Sequence, residues 1–116
     1  MNVDSKIMRL KEATGLSVAH GAYDGTADKY IVFTLEDERP DLYGDDDYIT
    51  ETATFQIQLV VPYAFNFHTL KDTIIATMKG EGFIYQNFRE QVNTDPATSA
   101  PYNRQLIFSF EITQEV

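Results

Sequence analysis

The side chains that could do chemistry in this chain are two histidines and 18 carboxylates, and there is no cysteine. His20 and His68 lie far apart and have no metal-ligand spacing around them. The run Asp45-Asp46-Asp47 offers oxygen ligands to a hard cation, but it lacks the alternating spacing and the distant Glu of a calcium loop. Carboxylate pairs can be drawn anywhere among so many acids, so none indicates acid–base catalysis. The pattern favours solvated positions and predicts no enzyme, cofactor or metal site.

Glycine spacing does not indicate a phosphate-binding loop. Gly15, Gly21 and Gly25 match neither a dinucleotide fingerprint nor a P-loop. Nine basic residues against 18 acidic ones give a net charge of −9, which disfavours binding to phosphate backbones and to anionic membranes. The apolar runs are shorter than the roughly 20 residues of a membrane span, and the start of the chain does not resemble a signal peptide. We expect an intracellular product.

A long alternating stretch is the clearest structural signal, and the rest of the chain is organised around it. At residues 53–61 apolar side chains occupy the odd positions, and Thr, Gln and Val occupy the even ones. Such alternation predicts a β-strand with one buried face. A strand over residues 48–61 extends roughly 45 Å, whereas a domain of this length is roughly 35 Å across. The strand must therefore bend or leave the body.

The remaining pattern predicts an α+β fold in a single domain of residues 1–116. We expect helices at residues 5–14 and from about residue 67 to 79, with Asp4 or Ser5 and Asn66 or Thr69 as the caps. Gly15 is predicted to end the first helix in the left-handed conformation, and apolar residues at three- and four-residue spacing indicate the second. Residues 16–20 and 30–35 read as a β-hairpin, residues 83–92 and 104–113 as strands, and residues 93–103 as a long polar loop. The order α-β-β-β-α-β-β indicates a mostly antiparallel sheet of four to five strands with two helices on one face.

Two sets of residues are candidate contact sites. One is a mobile acidic loop at residues 36–47, and the other is a second apolar strip on the opposite face or at the strand ends, which would need a partner subunit. The acidic loop carries Glu36, Asp37, Glu38, Asp41, Asp45, Asp46 and Asp47, and the strip consists of Val60, Tyr63, Phe88 and Ile107.

Several strings, in this order, resemble the tail-terminator (tail-completion) proteins of long-tailed bacteriophages and prophages. They are residues 10–15, LSVAHGAY at 16–23, YIVF at 30–33, the acid-rich segment, FQIQL at 55–59, one helix, and LIFSFEI at 106–112. The resemblance spans most of the chain and consists of hydrophobic and turn patterns without a chemical signature. Two features depart from the family: an apolar link at residues 61–67 and the long loop at 93–103.

The resemblance implies a non-enzymatic virion protein, assembled in the host cytoplasm, at the head-proximal end of the tail. Such a protein forms a hexameric ring on the tail tube, stops tube polymerisation and offers a docking face to the head connector. Its partners would be copies of itself, the tube protein and the connector protein, with no membrane. The acidic residues would line the lumen or face the tube, so that DNA passes without specific binding.

Other readings remain open from the sequence. A ferredoxin-like domain that binds a small molecule or regulates a partner would be a monomer or dimer with a closed apolar pocket. Another phage connector or tail component would share most of the same features. An acidic inhibitor or nucleic-acid mimic rests on charge alone.

Overall fold

The computed structural model describes residues 2–42 and 49–115, without the side chains of residues 41, 42 and 49. The α+β class and the predicted order are confirmed, with the first helix in two pieces that meet at Met8. The elements are α1 Asp4–Ile7, α2 Arg9–Thr14, β1 Ser17–His20, β2 Tyr30–Leu42, β3 Ile49–Pro62, α3 His68–Gly80, β4 Ile84–Thr94 and β5 Pro101–Glu115.

All five strands form one sheet in the order β1-β2-β3-β5-β4, with the long β3 at its centre. β1 lies parallel to β2, and the other three pairs are antiparallel. The hairpin predicted for β1 and β2 is therefore wrong. Gly21, in the left-handed region with φ 85°, donates its N–H to Phe33 O at 2.9 Å. The nine residues 21–29 bring the chain back to a point beside the start of β1, where β2 begins. Nine residues easily span the length of a four-residue strand.

The buried face of the sheet follows the predicted alternation of β3. Its odd-numbered residues from Ala53 to Val61 are at most 4% exposed, and they pack under the helices together with residues of β2 and β5. Each of the larger side chains in this set, from Phe55 to Val61, contributes about 1.5–3 kcal/mol relative to an exposed position. The largest fully buried side chains include Phe33, Phe108, Phe110, Ile7, Leu10, Ile57, Leu59, Ile74 and Met78.

The helix starts differ from the predicted caps, whereas the first helical segment ends at Thr14, as predicted. Val3 and Phe67 occupy the N-cap positions, and neither makes a side-chain capping bond. Asn66 nevertheless contributes at α3, because its Oδ1 accepts the N–H of His68 at 3.2 Å. At the other end of the first helical segment, Gly15 has φ 74°, which satisfies a left-handed stop that glycine adopts without strain.

Ion pairing joins the two helical regions. Arg9 Nε lies 2.8 Å from Glu81 Oε1, and Lys6 Nζ donates to Glu81 O at 3.4 Å. Because Glu81 follows the last residue of α3, these contacts hold the N-terminal helices against the end of α3.

The polar loop predicted at residues 93–103 is shorter than expected. β4 and β5 continue to Thr94 and Pro101, so only residues 95–100 connect them. Asp95 closes this turn: its Oδ1 accepts Ala97 N–H at 2.8 Å, its backbone O accepts Ser99 N–H at 2.8 Å, and its N–H donates to Ala100 O at 2.8 Å. These local bonds permit a six-residue turn where composition alone indicated a longer loop.

The prediction of an acidic loop at residues 36–47 is wrong for residues 36–42. β2 continues to Leu42 and pairs residue by residue with β3, after a bulge at Glu36. Glu36, Asp37 and Glu38 are thus strand residues with exposed side chains, and Asp41 is a strand residue by its backbone. Charged residues are tolerated here because their side chains remain in water. The remaining predicted positions, Asp45, Asp46 and Asp47, lie outside the described residues.

Candidate assembly surfaces

The long strands leave the body, as the length of β3 suggested. The molecule measures 61 × 27 × 24 Å, and the helices cover only part of the sheet. The protruding part, called the arm below, comprises residues 36–42 of β2, 49–54 of β3 and 112–115 of β5. It is a three-stranded ribbon, because β4 pairs with β5 only as far as Glu111.

Beyond Ala53 and Ile112, the described side chains of the arm are polar except for Pro40. Alternation puts Glu38, Pro40, Glu51 and Gln114 on one face, and Asp37, Arg39 and the threonines on the other. Thr52 is only 4% exposed, and its Oγ1 lies 2.9 Å from Oγ1 of the paired Thr113. The described side chains of the arm thus make cross-strand polar contacts and form almost no hydrophobic core.

Most of the net charge of the described residues lies in the arm. The arm has one basic residue, Arg39, which pairs with Asp37 at 2.9 Å, and six acidic residues, so its net charge is −5. The rest of the described chain has nine acidic and eight basic residues and a net charge of −1. The arm is therefore a strongly acidic projection on a nearly neutral body. Its acidic residues are Glu36, Asp37, Glu38, Asp41, Glu51 and Glu115.

Both sides of the sheet have strand edges without a neighbouring strand in the described chain. On one side β1 is the outer strand and ends opposite Phe33, so β2 has an open edge from Thr34 onward. On the other side the open edge is formed by β4 and, beyond Glu111, by β5. Leu35, at the base of the arm beside the first open edge, is 45% exposed. Open edges with exposed apolar side chains are surfaces to which another chain can add.

Two of the predicted interface residues are buried inside the protomer. Val60 and Ile107 lie on the sheet face away from the helices, as alternation indicated, but they are only 3% and 5% exposed. Tyr63, in contrast, is 42% exposed. Arg104 packs against its ring at 5.0 Å from the centroid, and Arg104 Nε lies 3.2 Å from Glu90 Oε1 without hydrogen-bond geometry.

Phe88 is not on the face where alternation predicted it. The register of β4 against β5 shifts between Tyr85 and Asn87, which brings Phe88 opposite Phe108 on the helix side. The two ring centroids are 5.2 Å apart, and Lys71 Nζ lies 4.2 Å from the Phe88 centroid. The bulge reverses the face of every later residue of the strand, which simple alternation cannot anticipate.

The two histidines take up packing positions. His20, the last residue of β1, stacks on Phe33 at 4.6 Å between centroids, with its Nδ1 3.6 Å from Asp4 Oδ2. His68, the first residue of α3, lies 4.6 Å from the Phe67 ring. Over residues 2–42 and 49–115, no three His, Cys, Asp or Glu residues are grouped closely enough to hold a metal ion.

A half-open cleft of about 420 Å³ lies at the end of the sheet opposite the arm. The cleft was not predicted from the sequence, because its residues come from the return segment after β1 and from the ends of three strands. The one signal in the sequence was Tyr102, an aromatic residue in a predicted polar loop, which is 67% exposed. The cleft is lined by Ala27, Asp28, Tyr30, Val60, Pro62, Tyr102 and Asn103.

None of the helices in the described part of the chain combines the length and apolar character needed to cross a membrane.

No known protein family matches the sequence, and neither does any curated protein. Among solved structures, one similar chain comes from the "Virion of native gene transfer agent (GTA) particle", with 13% identity, a TM-score of 0.62, and coverage of 98% of this chain and 95% of that one. The type 4 fimbrial biogenesis protein PilO from Pseudomonas aeruginosa gives a TM-score of 0.45 at 11% identity, over 97% of this chain and 65% of that chain. At 13% identity, the first likeness shows that the two chains share a fold.

Proposed function

We propose that this protein is a structural component of a phage-like virion. In this proposal it forms a ring on the head-proximal end of the tail tube, ends tube polymerisation and provides the docking surface for the head connector. It acts by assembly and not as an enzyme. The observation that carries the proposal is the arm, and a fold shared with a chain of a gene transfer agent virion supports it.

The arm calls for a neighbour because a ribbon of this kind has little stability alone. Three strands whose described side chains are almost all polar bury too little apolar surface to offset the entropy of ordering them. Contact with a second copy would supply the missing burial, starting at the exposed Leu35. An arm that reaches from one end of the molecule makes a heterologous contact, and such contacts close into rings when the rotation permits.

The identity of the residues that form the subunit interface remains a prediction. Of the four residues predicted from the sequence, Tyr63 offers exposed area, and Phe88, Val60 and Ile107 would support the contact from within the protomer. We retain six subunits as the expected ring size on the basis of the family resemblance.

The charge distribution suits a ring through which DNA passes. The acidic residues of the arm, together with Asp45, Asp46 and Asp47, would line the lumen or face the tube, where like charge prevents lasting phosphate contacts. The ring would bind the tube protein on one side and the connector protein on the other. It would assemble in the host cytoplasm and involve no membrane.

The mass of the native particle tests the proposal, measured alone and with purified tail tubes and followed by electron microscopy of the larger species. We expect a ring of about six copies, or a cap at one end of each tube. A strict monomer or dimer that ignores tubes would refute the ring. A ring with the arm acids on its outer rim would refute the lumen assignment alone.

A further inference from the structure

The geometry points to a docking site for the cationic side chain of another protein, an Arg or a Lys, in the cleft opposite the arm. The cleft lies on the sheet face away from the helices, where Tyr30 and Val60 are cross-strand neighbours. Ring formation is not needed for this inference, which concerns a different surface from the arm.

The composition of the cleft matches a long cationic side chain. Tyr30 and Tyr102 provide aromatic rings, which attract cations through their negative faces. Val60 and Pro62 provide an apolar wall against which a chain of methylene groups can pack. Asp28 provides a carboxylate at the exposed rim. An apolar wall together with a carboxylate and aromatic faces selects a cation on an aliphatic stem.

The cations nearest in sequence do not fill this role. Lys29 Nζ lies over the Phe65 ring at 4.6 Å, and Arg104 packs between Tyr63 and Phe67, at 5.0 and 5.3 Å from the centroids. Asp28 makes no ion pair with any residue that the structure describes. The carboxylate is thus left for a cation from outside the protomer.

The segment that carries Asp28 is held in place before any ligand binds. Tyr23 stacks on Tyr30 with centroids 4.2 Å apart, and its hydroxyl accepts the N–H of Ala27 at 3.0 Å. Gly25 makes this possible, because a Cβ at that position would overlap the Tyr23 ring. The same contacts fix the segment on which Asp28 lies, so little ordering is required on binding.

Charge favours a partner of a different kind from this chain. The Asp28 carboxylate attracts a basic group, and the acidic arm of a second copy is poorly suited to insert beside it. We therefore assign the occupant to a basic segment of another protein rather than to a second copy.

Amide chemical-shift titration of the full chain tests the site. The probe is acetyl-Gly-Arg-Gly-amide, and its matched control replaces Arg with citrulline, which has nearly the same shape and no charge. We expect saturable shifts at Val60 and Asn103 with the Arg peptide, and affinity at least about tenfold lower with citrulline. The variant Asp28→Asn should weaken binding about threefold, as expected for an exposed ion pair. Asp24→Asn, an equal charge change on the same segment, should leave binding unchanged.

Three results would overturn the inference. Equal binding of the citrulline peptide would indicate an uncharged ligand site. Equal effects of Asp28→Asn and Asp24→Asn would indicate diffuse attraction to an acidic protein. Shifts confined to other surfaces, or none, would exclude the cleft. Tyr102→Ala provides a second variant, which is expected to fold because Tyr102 is 67% exposed. It should also lower the affinity for the Arg peptide.

Discussion

Replacement of Ile107 by Ala distinguishes a core position from an interface position. The residue was predicted to contact another subunit, yet in the protomer it is only 5% exposed. Its cross-strand neighbours are Gln58 on β3 and Arg89 on β4, whose long side chains have aliphatic stems that can cover an apolar neighbour. Because Ile107 is buried within the protomer, the variant must lose stability even as an isolated protomer.

The size of the loss follows from the surroundings of Ile107. Ile→Ala substitutions at buried sites cost about 2–5 kcal/mol, and the cost is smallest where neighbours can collapse into the space. Gln58 and Arg89 are flexible and lie on the open face of the sheet, so we expect about 2 kcal/mol. For a domain of this size, that corresponds to a fall in Tm of roughly 10 °C.

Urea unfolding measures this loss, at a protein concentration where the native mass is that of one chain. Ser109→Ala is the matched control, because Ser109 is on the same strand and face and its hydroxyl makes only an exposed bond to Gln86 Oε1 at 3.1 Å. We expect the control to change the free energy of unfolding by less than about 0.5 kcal/mol. If Ile107→Ala unfolds like the control but no longer assembles, the protomer-core interpretation is refuted and Ile107 belongs to the interface.

The remaining predictions concern the arm, the turns and nucleic acid. Leu35→Glu should abolish assembly while leaving the Tm within a few degrees, because Leu35 is 45% exposed. The control Met8→Glu, at a residue 37% exposed on the helical side, should leave assembly intact. Equal effects of the two variants on the native mass would contradict the role of the arm in assembly. Gly82→Ala should lower the free energy of unfolding by about 1 kcal/mol, because Gly82 has φ 95°. Gly80→Ala, at a helical residue with open space around it, should raise that free energy by about 0.5 kcal/mol; a stabilising Gly82→Ala would contradict the turn geometry. The free protein should not retard a duplex DNA fragment even at low salt, and a salt-sensitive shift in a gel would contradict the charge argument.

Local periodicity was enough to predict much of the fold. The alternation of β3, the three- and four-residue spacing of α3 and the left-handed stop at Gly15 all depend on residues that are close in sequence. The parallel pairing of β1 was beyond such reasoning, since a strand pattern does not reveal which strand lies beside it or in which direction. The strand character of residues 36–42 was missed because acidic composition favours a loop, whereas pairing with β3 imposes a strand.

The candidate assembly surfaces, too, were predicted in part from the sequence and in part became visible only in the structure. From the sequence alone came the excess of acidic residues, the absence of cysteine and of a metal-ligand pattern, and a central strand too long for a compact body. Only the tertiary structure decided that the acids gather on a projecting arm, that Ile107 is covered by its neighbours, and that a bulge carries Phe88 to the helix side. The physical reason is that composition and alternation are local properties, whereas burial and register depend on residues brought together from distant parts of the chain.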